Sequence, residues 1–227
     1  MPAGLGNSRG HRQLLHQQAY EVIRNAIVQS DLPPGSVVSE RTLSEQFGFG
    51  RAPIRAAIQR LAAEGFLLIV PQQGIIVASP SLEEVRDLFE LRVALESYVV
   101  RRLALEPQEV DFVHLELLLE KQEKAAQEQN IRLYRQLDVD FHLFLAHSLG
   151  NSELYSSMER LSDRLHRIIA SVISRRPARM LDSTIEHRAI VQAIATGDPD
   201  AAEMAMITHL DWAWNFLTGG HLPRHGR

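Results

Sequence analysis

The chain has 227 residues, no cysteine, 45% hydrophobic and 23% charged side chains, and a formal net charge of −4. This is the composition of an ordinary globular protein. Without thiols it excludes disulfides, thiolate metal sites and cysteine nucleophiles. No apolar run reaches the roughly 18 residues that a membrane span needs, and residues 1–13 read as a short polar tail with no secretory core, so a cytoplasmic protein is expected. Charge is unevenly spread: seven arginines stand against five acidic residues up to residue 78, and seventeen basic against twenty-three acidic residues beyond it. A basic first third suggests that this part alone meets nucleic acid.

From His11 to Ser30 the residues Leu14, Leu15, Ala19, Val22, Ile23, Ala26 and Ile27 recur at helical spacing. Asp31-Leu-Pro-Pro-Gly35 stops that helix, because neither proline has an N–H to donate. Ser39 is a natural N-cap for a short helix to Phe47, which Gly48 ends. A second helix starts near Arg51, with Pro53 in its first turn and Ile54, Ala57, Ile58, Leu61 and Ala62 on its core face. Phe66–Val70 and Ile75–Ala78 read as strands about the turn Pro71-Gln-Gln-Gly74. The order of a helix, a helix-turn-helix and a β-hairpin predicts a winged helix-turn-helix over 1–78. Ser79-Pro80-Ser81 is the expected boundary. Over 79–227 the pattern predicts helices at about 82–104, 107–128, 130–148, 152–174, 179–196 and 199–218. Short connections at Pro107, Gly150-Asn151, Arg176-Pro177 and Gly197-Asp198-Pro199 imply an antiparallel all-α bundle.

Arg51, Arg55 and Gln59 share one face of the second short helix, at i, i+4 and i+8, opposite its apolar face. Arginine pairs bidentately with guanine or grips phosphate, and a helix of this size fits the major groove. Arg41 lies near the start of the preceding helix, where such motifs approach the phosphate backbone. The tip at Gln72, Gln73 and Gly74 could enter the neighbouring minor groove. The alternative is a solvated helix face that happens to carry two arginines.

The predicted helix over 130–148 is apolar on nearly every side, including Ile131 and Leu133, and so belongs in the middle of the bundle. Asp138 and His142 interrupt it at i and i+4. A buried aspartate is costly unless paired or bound to a metal. His187 aligns with Ile190, Val191 and Ile194, and His209 with Met206, Trp212, Ala213 and Phe216, so both face inward. Singly, each is readily a satisfied core histidine. As a set, three imidazoles and a carboxylate suit divalent zinc, nickel, manganese or iron. Arg92 is a candidate partner for a ligand carboxylate, or forms a salt bridge with Glu96 one turn on.

Two stretches resemble known families. Pro34-Gly35, Ser39-Glu40-Arg41-Thr42-Leu43, Gly48-Phe49-Gly50-Arg51-Ala52-Pro53-Ile54-Arg55, Leu61-Ala62-Ala63-Glu64-Gly65-Phe66 and Gln73-Gly74 are similar to the DNA-binding domain of the GntR family of bacterial regulators. Leu137-Asp138-x-x-Phe141-His142, Gly150-Asn151, Glu186-His187-Arg188-x-Ile190, Gly197-Asp198 and His209-Leu210 resemble the FCD effector domain of its FadR-type members, as does Glu90-Leu91-Arg92. The resemblance implies a homodimeric repressor that reads a palindromic double-stranded DNA operator through Arg41, Arg51, Arg55 and the wing at Gln73-Gly74. It also implies that Asp138, His142, His187 and His209 hold a divalent metal, beside which a small organic acid binds and alters operator affinity. Gly50 and Ala52 depart from the family's usual hydroxyl residues and remove two phosphate hydrogen bonds, and Gln73 stands where a basic wing residue is common. Two rival readings of the same donors are a metal-dependent hydrolase and a repressor whose metal is purely structural.

Overall fold

The computed structural model describes residues 6–220 and Leu222, excepting the side chains of residues 6–13, 163, 171 and 174. The chain divides into two compact units, residues 1–79 and 80–227.

In the first unit, α1 (Gly6–Val28) packs on α3 (Arg51–Ala63), with α2 (Glu40–Phe47) between them in sequence. Ala19, Ile23 and Ile27 of α1 meet Leu43 of α2 and Ile54, Ile58 and Leu61 of α3 in one core. The helix α1 begins at Gly6, within the stretch expected to be a polar tail; no proline lies between Gly6 and Val28, so propagation upstream adds one hydrogen bond per residue and meets no block. Residues 1–5 of that expected tail lie outside the described residues. Ser39 caps α2 as expected: its Oγ accepts from the Thr42 N–H at 3.1 Å, and the Ser39 N–H donates to Thr42 Oγ1 at 2.9 Å. Strands β2 (Leu67–Val70) and β3 (Gly74–Val77) form the hairpin, and a two-residue β1 (Val37–Val38) adds to β3 to give the order β1-β3-β2, all antiparallel. Two residues are too few to show alternation, so β1 left no pattern in the sequence.

The second unit consists of α4 (Leu82–Leu105), a single 3-10 turn (Pro107–Glu109), α5 (Phe112–Gln127), α6 (Ile131–Ser148), α7 (Ser152–Arg175), α8 (Arg179–Ala195) and α9 (Pro199–Thr218). The helix expected from Pro107 starts five residues later. Pro107 nucleates only a 3-10 turn, and Asp111 caps α5 by accepting from the His114 N–H at 2.9 Å. Ser81, Asn130, Asn151 and Asp198 cap α4, α6, α7 and α9 in the same way. Helix α6 packs on α5 and α7 and reaches α4, while α9 packs on α4 and α8. Its first turn is not interior: Ile131 and Leu133 are exposed, and the buried run begins at Tyr134. From there Leu137, Phe141 and Leu145 enter the core, where a fully buried ring such as Phe141 contributes about 2–3 kcal/mol. No helix among the described residues is long and apolar enough to cross a membrane.

Gly74 has a structural task at the wing. Its φ is +103°, and a Cβ there would stand 3.3 Å from Val37 Cγ1 and 3.4 Å from the Val38 carbonyl oxygen. Gly74→Ala should therefore destabilise the first unit by about 1–3 kcal/mol, read as a lower midpoint in chemical denaturation. In the second unit, burial and then the nearby Arg135 push the His166 imidazole down to about 4. The folded chain thus keeps His166 neutral while the unfolded chain takes up a proton below the ordinary histidine value. Stability from this group is present above pH ~6.5 and is lost as pH falls towards 4. Replacing His166 by leucine should flatten the melting temperature against pH across that window.

Candidate DNA face and buried histidine centre

The exposed side of α3 carries Arg51, Arg55 and Gln59, and its opposite side buries Ile54, Ala57, Ile58 and Leu61, as the spacing predicts. Arg41 is exposed on α2, one turn before Glu45, from which it stands 3.6 Å. Gly50 precedes α3 and supplies no side-chain cap. The wing turn comprises Pro71, Gln72 and Gln73, with Gln72 at φ +65°; Gly74 belongs to β3, paired with Val70.

In the second unit α6, α8 and α9 bring His142, His187 and His209 together. One ligand nitrogen from each lies within 4.8 Å of the others, and all three rings are buried. Phe141 stacks on His187 with centroids 4.2 Å apart, which fixes that ring's plane. Asp138 stands at the edge of the triangle, its Oδ1 3.8 Å from His187 Nε2. Burial raises the Asp138 carboxyl above its ordinary value, opposed by His142, Arg92 and Arg179.

The outer nitrogens of the rings explain their orientation. His187 Nδ1 lies 2.8 Å from Gln122 Oε1, and the Gln122 amide nitrogen donates to the Leu137 carbonyl at 2.9 Å. That donation leaves only the Gln122 oxygen to face the ring, so His187 carries its proton on Nδ1. His209 Nδ1 lies 2.7 Å from Glu186 Oε2, an acceptor that likewise calls for a proton on Nδ1. His142 Nδ1 is 2.6 Å from Glu96 Oε2, although its N–H is not aligned on that oxygen. In His187 and His209 the Nε2 lone pair is then left for the centre. His187 Nε2 is wholly buried and has no hydrogen-bond partner. Burial, and then the neighbouring imidazoles and arginines, hold His187 and His209 well below the ordinary histidine value, so both are neutral, as metal ligands must be.

These donors fit a divalent transition metal. Three nitrogens bound to one ion at about 2.1 Å stand roughly 3.0–3.4 Å apart, so a triangle with sides of up to 4.8 Å must close by about an ångström or more to hold one. The unpartnered Nε2 of His187 is the donor a bound cation would satisfy. Arg92 competes for the same space: its Nη2 lies 3.3 Å from His142 Nε2. The expected pairing of Arg92 with Glu96 is present and buried, with Nε 2.6 Å from Oε1 and Nη2 3.4 Å from Oε2. Burial alone would raise the Glu96 carboxyl, but Arg92 and His142 hold it well below the usual carboxylate range.

Gln122 and Arg179 were not singled out from sequence, while Glu96 was expected only as a partner of Arg92 and Glu186 only within a family motif. Glu96, Gln122 and Glu186 stand against the rings. Arg179, buried over the Trp212 ring at 4.0 Å, binds both oxygens of Glu186. Gln122 and Glu96 had a readable signal, since each breaks an apolar stripe at a core-facing position (Leu115, Leu118, Leu119 and Ala125; Phe89, Val99, Val100 and Leu103). Arg179 is the first residue of α8 and offers no such pattern. Arg92, Arg179, Asp138, Tyr134, Ser183 and His209 line a cavity of about 40 Å³ beside the histidines. That volume admits a few water-sized atoms.

Residues 15–77 match the family described as bacterial regulatory proteins, gntR family, and residues 87–211 match the FCD domain. The chain is 32% identical over 201 residues to the HTH-type transcriptional repressor RspR of Escherichia coli K12, covering 87% of this chain and 86% of that one. It is 27% identical over 198 residues to the HTH-type transcriptional regulator YdhC of Bacillus subtilis, covering 86% and 87%. A crystal structure of a GntR regulator from Rhodococcus sp. RHA1 shares the fold with a TM-score of 0.75 at 19% identity, over 91% of this chain and 98% of that one. The chain therefore belongs to the GntR family of transcriptional regulators, in the branch with an FCD domain. Its relatives are regulators and not enzymes, so the hydrolase reading of the histidine donors falls.

If Gln122 and Glu186 orient the ligand imidazoles, Gln122→Leu and Glu186→Gln should each weaken zinc or nickel binding about 10- to 100-fold while leaving helical content unchanged. Competition titration against a chromogenic chelator, with circular dichroism alongside, measures both.

Proposed function

We propose that this regulator is a homodimeric repressor whose hold on a palindromic operator is set by a small carboxylate bound at a divalent metal held by Asp138, His142, His187 and His209. The observation that carries the reading is the inward-facing, partnerless Nε2 of His187 among two further imidazoles, beside a cavity that two arginines line. RspR, the relative quoted above, is named a repressor.

In the head, Arg51, Arg55 and Gln59 would enter the major groove. Arg41 would meet the phosphate backbone, and Gln73 with Gly74 would bring the wing to the minor groove. With no side chain capping α3, the Arg51 and Ala52 N–H groups would remain available to a phosphate, which offsets part of the loss of hydroxyls at positions 50 and 52. One head covers half of a palindrome, so two copies are needed. Such a regulator works on the nucleoid, in the cytoplasm.

In the body, the bound metal would supply a Lewis-acidic attachment point for a carboxylate. The chain's own residues do the rest. Glu96, Gln122 and Glu186 hold the imidazoles, while Arg92 and Arg179 offer guanidinium edges to an anion. A carboxylate that takes the edge of Arg92 or Arg179 now facing its glutamate must replace that glutamate. The ligand therefore favours one side-chain arrangement over the other, which is what changing operator affinity requires.

Arg51→Ala and Arg55→Ala should each abolish operator binding in gel shifts while leaving the dimer intact in size-exclusion chromatography with light scattering. His187→Ala separates a sensing metal from a structural one. Loss of the response to an added carboxylate at an unchanged melting temperature supports sensing. A lowered melting temperature with the response retained would show a structural metal instead.

A further inference from the structure

The recognition face of the first unit carries one carboxylate whose role in DNA binding is unassigned. Glu40, the first residue of α2, faces Arg55 of α3: Arg55 Nε donates to Oε1 at 2.9 Å, and Nη2 donates to Oε2 at 3.0 Å. Both side chains remain accessible, at 63% for Arg55 and 36% for Glu40. The pair joins two helices, unlike the one-point, same-helix contact of Arg41 with Glu45 at 3.6 Å. The Arg55 hydrogen bond holds the Glu40 carboxyl below its ordinary value, so the charge is present at neutral pH.

A negative charge on a surface that must approach phosphates weakens sequence-independent attraction. What it offers in return follows from donor geometry. The side-on fork consumes the Nε–H and one Nη2–H of Arg55. The three remaining donors are both Nη1 hydrogens and the outer Nη2 hydrogen, which form the end-on edge with two parallel N–H bonds. That edge matches N7 and O6 of guanine in the major groove. An unrestrained arginine on the same helix would be drawn to phosphate oxygens, which carry no sequence information, and would lose more side-chain freedom on reaching a base.

We propose that Glu40 is a positioning residue that aims Arg55 at a guanine edge and withholds it from the phosphates, so that discrimination among DNA sequences depends on it more than affinity does. This rests on the reading of Arg55 as a DNA contact.

The test uses the full-length chain. Selection from a random-sequence duplex pool with the wild type supplies a preferred duplex, and a scrambled duplex of equal composition serves as reference. Wild type, Glu40→Gln, Arg55→Ala and the double variant are titrated on both over a range of salt. Glu40→Gln should bind the preferred duplex about three- to tenfold more weakly. It should bind the scrambled duplex as tightly as wild type or more so, with a log affinity–log salt slope steeper by up to about one as Arg55 turns to a phosphate. In the Arg55→Ala background, Glu40→Gln should cause no further loss of discrimination. Discrimination within twofold of wild type for Glu40→Gln, alongside its loss in Arg55→Ala, overturns the proposal; so does an equal loss in both backgrounds. If Arg55→Ala keeps wild-type discrimination, the DNA-contact reading fails and the proposal with it. Should Glu40→Gln melt early, Glu40→Asp, which keeps the helix-terminal charge but shortens the reach, must lose discrimination at the wild-type melting temperature, or the proposal falls.

Discussion

Everything in the second unit answers to the cost of burying polar groups where water cannot reach them. Arg92, Glu96, Gln122, Asp138, Arg179 and the three histidines are all at most 6% exposed. A buried charge left without a partner costs several kcal/mol, and even a well-made buried pair is often no better than apolar packing. A bundle selected for stability alone would fill this space with leucine and phenylalanine. Most of these groups have instead been given a partner on another turn or helix: Arg92 with Glu96, His187 with Gln122, and both Arg179 and His209 with Glu186. The partners govern more than stability. By accepting at Nδ1 they set the tautomer, and by setting the tautomer they decide which lone pairs face the centre.

That logic also explains why His187 and His209 stay neutral. Desolvation disfavours their charged form, and the neighbouring imidazoles and then the arginines disfavour it further. Glu96 shows the opposite outcome of the same burial, because Arg92 and His142 stabilise its charge more than burial penalises it. A compact set of groups thus holds cations, anions and neutral donors side by side, and environment rather than residue type assigns the roles.

How much of this was legible in the sequence depended on whether a residue's role is local. Caps and periodicity are local, so the order of helices and hairpin, and the faces of α3 and α6, could be read from spacing. The exceptions were short-range competitions: Asp111 rather than Pro107 starts α5, and no proline breaks α1 between Gly6 and His11. Of the centre, the three clustered histidines and Asp138 beside them stood out in the sequence because a polar residue on an apolar stripe is conspicuous. Gln122 and Glu96 interrupt their stripes in the same way, but their meaning lies in what they meet across the bundle, and Arg179 meets Glu186 and Trp212 with no periodic sign at all. The Glu40–Arg55 pair is of the same kind, fifteen residues apart and visible only once α2 and α3 are placed.

An arginine paired with a glutamate recurs at places where an anion is expected: Arg55 with Glu40 and Arg92 with Glu96 through Nε and Nη2, and Arg179 with Glu186 through Nη1 and Nη2. The physical setting sets these pairs apart in energy. At the exposed head the pair is weak, so it can orient a guanidinium without opposing its later contacts. In the buried body, freeing either partner strands a charge, and separation costs several kcal/mol unless a replacement anion arrives with it. On the proposed function an incoming carboxylate would be such a replacement. The arrangement with the glutamate displaced would then be closed to the empty protein and open to the liganded one, which is the differential that a two-state regulator needs.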